Sequence, residues 1–195
     1  MLTRIAVLVS GGGTNLQALI DAQAAGVLTA GRIELVVSNR ADAYALERAR
    51  AAGIKAAVCE NEAETLRLLE ARGTDLVILA GFMSILSAQF IARYPRRIIN
   101  IHPALIPSFC GKGMYGLHVH EAALRYGVKV TGATVHYVNE IPDGGEIILQ
   151  KAVEVEPGDT PESLQKRVMR EAEWVILPKA AQLVSEKLAE EKQNG

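Results

Sequence analysis

The sequence predicts an α/β fold: an open, mostly parallel sheet with an antiparallel C-terminal hairpin and helices on both faces. Three observations predict it. Short β-branched runs alternate with longer stretches of helical period, the pattern that parallel strands and their crossover helices impose. A glycine-rich turn, Ser10-Gly11-Gly12-Gly13-Thr14-Asn15, follows the first apolar run. Near the C-terminus two β-rich runs flank Pro142-Asp143-Gly144-Gly145, residues that favour a tight turn.

Taken in order, Arg4 to Val9 is a strand, Asn15 to Ala25 a helix, Ile33 to Ser38 a strand and Ala43 to Ala52 a helix. Lys55 to Val58 is a short strand, Glu62 to Ala71 a helix, and Leu76 to Leu79 a strand of the wholly buried type. Ser87 to Arg93 is a helix before the strand Ile98 to Ile101, and to this point the sheet is expected to be parallel. Pro103 to Leu117 carries prolines and glycines without a period, so it reads as a long loop, which in a compact domain hints at function. A helix near His118 to Tyr126 precedes the hairpin of Val130 to Val138 and Ile147 to Val155. Thr160 caps a long helix with Pro161 at its first position, broken or kinked near Pro178. The polar tail Glu190 to Gly195 is expected to fray.

Composition narrows the function. The 195 residues carry 21 Lys+Arg against 22 Asp+Glu, a formal net charge of −1 with no basic block. Gripping nucleic acid by phosphate neutralisation is therefore not expected, and small-molecule chemistry is. Cys59 and Cys110 stand alone without a CxxC, so both are read as reduced thiols. The apolar run Ile5 to Val9 is too short for a signal peptide, and no stretch reaches the roughly 20 apolar residues of a membrane span. A single cytoplasmic domain, 1–195, is the expectation.

Several motifs are suited to chemistry. At the glycine turn, free backbone N–H groups meet the positive end of a helix dipole, an arrangement suited to phosphate. It is neither a Walker A motif nor a complete dinucleotide fingerprint. A tight turn capped by Thr14 is the alternative. Asn100-Ile101-His102-Pro103 ends a strand at the edge where open α/β sheets place ligands. Period two puts Asn100 and His102 on one face, where a carboxamide and an imidazole polarise a carbonyl and hold the oxyanion of an acyl transfer. Strand-end residues satisfied by nearby backbone are the alternative. Asp143 lies in a turn whose usual explanation is a solvated hairpin; the alternative is a carboxylate aimed at His102, where it would favour the imidazolium. His118 and His120, with His136 as a third, lack ligand spacing, and no metal is expected.

Taken together, Ser10 to Asn15, Ala80-Gly81-Phe82-Met83, Asn100 to Pro103, Thr131-Gly132-Ala133-Thr134-Val135-His136 and Asp143-Gly144-Gly145 resemble the phosphoribosylglycinamide formyltransferase family of purine biosynthesis. The resemblance runs in order from Arg4 to the last helix. It implies the Rossmann-like formyltransferase fold, with 10-formyltetrahydrofolate as cosubstrate and glycinamide ribonucleotide as the amine that accepts the formyl group. No metal is implied. Asn100, His102 and Asp143 fall on the family's catalytic residues, with Asn100 and a protonated His102 at the oxyanion. Gly12, Gly13, Thr14 and Asn15 fall on its phosphate turn and Glu173 on the acid that holds the ribose hydroxyls. Met83, Ser84, Ile85, Leu86, Ile91 and Ile98 fall on the wall around the pterin, together with Asn100, Val138, Ile141 and Asp143. A monomer or homodimer with small-molecule substrates, and neither nucleic acid nor membrane as partner, is implied.

The chain departs from that pattern in three places. Many members carry arginine where this chain has Ser84. Val58 to Thr65 is short and lacks a common Ser-Arg-Glu stretch. Ser108 to Gly116 is long and presents Lys112 between glycines, which suggests a cation closing over an anionic group of substrate or cofactor. Three other readings compete. Formyltetrahydrofolate hydrolase is expected to need a regulatory domain before Arg4, and methionyl-tRNA formyltransferase a further C-terminal one. A non-catalytic nucleotide- or folate-binding module would have no chemical reason to keep His102 with Asp143.

Overall fold

The computed structural model describes residues 2–194. Seven strands form one sheet in the order β3-β2-β1-β4-β5-β6-β7. They are β1 (Thr3–Val9), β2 (Gly31–Ser38), β3 (Lys55–Val58), β4 (Leu76–Leu79), β5 (Ile98–His102), β6 (Val130–Tyr137) and β7 (Ile147–Glu154). β1 to β5 pair in parallel, whereas β6 runs antiparallel to both β5 and β7. The helices are α1 (Thr14–Ala24), α2 (Tyr44–Ala51), α3 (Glu62–Ala71), α4 (Ala88–Arg93), α5 (Leu117–Tyr126), α6 (Pro161–Val168) and α7 (Trp174–Asn194).

Period two in β1 divides the core. Ile5, Val7 and Val9 join one buried cluster with Leu16 and Leu19 of α1 and with Leu177, Ala181 and Val184 of α7. Ala6 and Leu8 face the opposite cluster with Leu69 of α3, Phe90 of α4 and Tyr94 just after it. Helices thus cover both faces, and β4 is buried along its whole length. The order reverses between β1 and β4, so the loops after these two strands diverge and leave a crevice at the sheet's C-terminal edge.

Several local expectations are corrected. Thr14 does not cap α1: Gly13 is the N-cap, at φ 72°, and no side chain caps the helix. A Cβ on Gly13 would lie 2.6 Å from the Ala45 Cβ, so α2 is packed against a bare backbone. The break expected near Pro178 comes earlier, in a π turn over Met169–Glu173, and α7 continues through Pro178. Proline removes the N–H that would reach the Trp174 carbonyl, and the helix widens in the turn just before that gap. The expected frayed tail is helical to Asn194, and Gly195 lies outside the described residues. Among the described residues no helix is long and apolar enough to cross a membrane.

Candidate active site

β5 ends the parallel part of the sheet and brings Asn100 level with His136 of the antiparallel β6. The Asn100 Nδ2 lies 3.1 Å from His136 Nε2. His136 Nδ1 lies 2.9 Å from the Tyr137 carbonyl, which only accepts, so Nδ1 carries the hydrogen and Nε2 is left to accept from Asn100. One amide hydrogen of Asn100 is spent on this bond and the carboxamide is oriented by it.

Asp143 reaches the same place from the β6–β7 connection, held at φ 56°. The following turn approaches the strand so closely that a Cβ on Gly145 would lie 1.7 Å from the Tyr137 carbonyl oxygen. Asp143 Oδ2 accepts the Gly111 N–H at 2.9 Å and stands 3.5 Å from His102 Nδ1. Its Oδ1 is 3.6 Å from His136 Nε2. Burial alone would raise the Asp143 carboxyl, but the His136 and His102 rings in their charged forms and the Gly111 N–H outweigh it and hold it below its usual range.

His102 is buried, with Nε2 lying 2.8 Å from the Phe109 carbonyl. That oxygen requires a hydrogen on Nε2, so a neutral ring turns the Nδ1 lone pair toward Asp143. Burial lowers the pKa of His102 further than Asp143 and the Phe109 carbonyl raise it. Burial thus favours the neutral ring, while the Asp143 carboxylate beside Nδ1 favours the imidazolium. Asn100 is bonded to His136, and His102 stands beside Asp143.

Asn100, His136 and Asp143 line a cleft of about 430 Å³. Met83, Ser84, Ile85, Leu86, Ile91, Val138 and Ile141 line it too. Ile98 does not: it is buried two residues deeper on β5, in the cluster with Phe90, and its carbonyl accepts the Val138 N–H. Lys112 and Tyr115 of the long loop also line the cleft. A second cleft of about 580 Å³ between α1 and α7 includes Thr14 but none of the Asn100, His136 and Asp143 group.

On the crevice's other side, Gly12 is exposed and its carbonyl accepts from Arg48 Nε at 2.8 Å. Asn15 is buried and donates to Glu173. Among the described residues no group of three or more His, Cys, Asp or Glu is placed to hold a metal ion. His118 is exposed beside Glu121, whereas His120 is buried with neither ring nitrogen bonded. Sequence reasoning missed His136 as Asn100's partner, because the antiparallel register that aligns them has no local signal. It also missed Arg48 behind the glycine turn and Asn39, which bonds Ser10 and Ser84.

Residues 3–181 match the family model described as formyl transferase. The chain belongs to the formyl transferase family. This family member is 42% identical to the phosphoribosylglycinamide formyltransferase of Escherichia coli (strain K12), over 89% of this chain and 83% of that protein. It is 44% identical to the trifunctional purine biosynthetic protein adenosine-3 of Homo sapiens, over 98% of this chain and 19% of that protein. The chain thus spans about a fifth of the length of that human relative. The solved structure of glycinamide ribonucleotide transformylase 1 from Symbiobacterium toebii aligns with a TM-score of 0.88 at 44% identity, covering 95% of this chain and 89% of that one.

Proposed function

We propose that this formyl transferase moves the formyl group of 10-formyltetrahydrofolate to the primary amine of glycinamide ribonucleotide, as a single cytoplasmic domain over residues 1–195. One observation carries the reading. Asn100 and Asp143 meet in a cleft with an apolar wall, at the same sheet edge as a glycine turn whose helix N-terminus suits a phosphate. The names of the bacterial relatives support it.

In this reading the pterin lies against Met83, Ile85, Leu86 and Ile91, and Glu173 accepts from the ribose hydroxyls. The amine nitrogen attacks the formyl carbon. The free amide hydrogen of Asn100 donates to the formyl oxygen as it gains charge, with no reorganisation because His136 already fixes the carboxamide. Asp143 accepts the proton shed by the amine, and the His102 Nδ1 lone pair behind it shares that proton. The C–N10 bond then breaks, N10 takes the proton, and tetrahydrofolate leaves with the new N-formyl amide bonded to the ribonucleotide. His102 serves as a base that becomes imidazolium in the transition state, where Asp143 stabilises it. Proximity of amine and formyl group supplies the rest.

The test is tetrahydrofolate formation from 10-formyltetrahydrofolate with and without glycinamide ribonucleotide. Turnover that requires the nucleotide is expected. Turnover without it would mark a hydrolase, and binding of both compounds without turnover a non-catalytic module.

A further inference from the structure

Asn39 lies outside both clefts, directly after β2, yet it reaches across the crevice between β1 and β4. Its Oδ1 accepts from Ser10 Oγ at 2.8 Å and its Nδ2 donates to Ser84 Oγ at 2.9 Å. The circuit closes on itself. Ser10 Oγ accepts the Met83 N–H at 2.9 Å, and the Ser10 N–H donates to the Gly81 carbonyl at 3.1 Å. Ser10 opens the glycine turn, and Gly81 to Leu86 is the irregular segment that supplies one wall of the cleft.

Packing holds that wall at its ends, through Phe82 and Leu86, and little between them: Met83 is 56% and Ile85 75% exposed. Hydrogen bonds must then set its position. Ser10 is buried, so its hydroxyl has no water to exchange with and is satisfied within the circuit. We propose that Asn39 and Ser84 are positioning residues that tie the wall of the folate cleft to the glycine turn, so that the two substrate half-sites are set as one unit. This rests on the function proposed above. Neither residue touches the reacting atoms. Their contribution is to the distance between formyl carbon and amine, and to affinity for the ligand that the exposed wall contacts.

The experiment is a double-mutant cycle at positions 39 and 84, read as KM for each substrate, kcat and the Kd of each substrate alone. Ser84 is exposed, so Ser84→Ala folds as the parent does. It is expected to raise KM for 10-formyltetrahydrofolate about fivefold, the effect of one neutral hydrogen bond, with kcat within about twofold. Ser84→Thr keeps the hydroxyl and restores KM. Asn39→Ala releases both serines and raises KM for both substrates. The double variant is no worse toward the folate than Asn39→Ala alone, because the second substitution removes a bond already lost. An unchanged folate KM in Ser84→Ala, or effects that multiply in the double variant, would overturn the inference. Were the parent to bind both compounds without formyl transfer, the function would fall instead, and the cycle would be read from the two Kd values.

Discussion

The Asn15 Nδ2 donates to Glu173 Oε2 at 2.6 Å, joining the first turn of α1 to the π turn before α7. Burial of Glu173 raises its carboxyl to about 7 against the pull of that hydrogen bond. An unfolded carboxyl ionises near 4.5, so the folded chain holds this proton more tightly and loses stability as pH rises from there to about 7. Glu173→Gln removes the penalty. It is expected to raise stability at pH 8 by up to about 3 kcal/mol, with no difference near pH 4, and to raise KM for the ribonucleotide. Thermal melts at the two pH values check the first part, and an equal gain at both would refute it.

Asp143→Asn and His102→Ala are each expected to cut kcat about 10²- to 10⁴-fold while KM changes little, since the proposed proton transfer runs through both. Near-normal turnover in either variant removes the assignment. His136→Phe frees the Asn100 carboxamide to rotate and is expected to lower kcat about tenfold, toward the loss of one oriented donor.

His120 titrates in the opposite sense to Glu173. Burial lowers its pKa to about 4, with His102 adding to the effect, so stability is lost as pH falls from 6.5 toward 4. Both ring nitrogens lack hydrogen-bond partners. His120→Leu is expected to stabilise the chain, with a gain larger at pH 5 than at pH 8. Denaturation midpoints at both pH values decide it.

Among the described residues Lys112 makes no ion pair, and it lines the cleft beside Gly111. Lys112→Ala is expected to raise one KM about fivefold, the effect of a screened charge near an anionic ligand, and the loss should shrink in high salt. Two unchanged KM values would end that role for the loop.

Strands were legible wherever burial imposes a local pattern. β4 is four apolar residues in a row, and the alternation of β1 follows from its two clusters. Thr160 caps its helix as its residue type predicts, with Pro161 at the first position. Contacts set by register or by crossing neighbours were not legible. His136 meets Asn100 only because β6 turns antiparallel at one alignment, and Asn39 acts over β1 from a strand that is not β4's neighbour. The enclosure of His102 by Phe109 and Asp143, which tunes its charge, was not legible either, because it is a property of the packed chain. Ile98 was misplaced because it shares a strand face with Asn100 while lying beneath α4.

The π turn at Met169–Glu173 makes the chain's length, more than its composition, the constraint in that stretch. Arg170 and Glu171 point to solvent there, whereas Ala172 and Glu173 are buried and Trp174 is exposed again. The Arg170 and Glu171 side chains are thus open to drift. Removing one residue would restore regular winding and swing everything on one side by about 100°. Such a shortening would separate Glu173 from Asn15 or rotate the whole of α7 off the sheet, so point substitutions and single deletions in the same five residues should have very different fates.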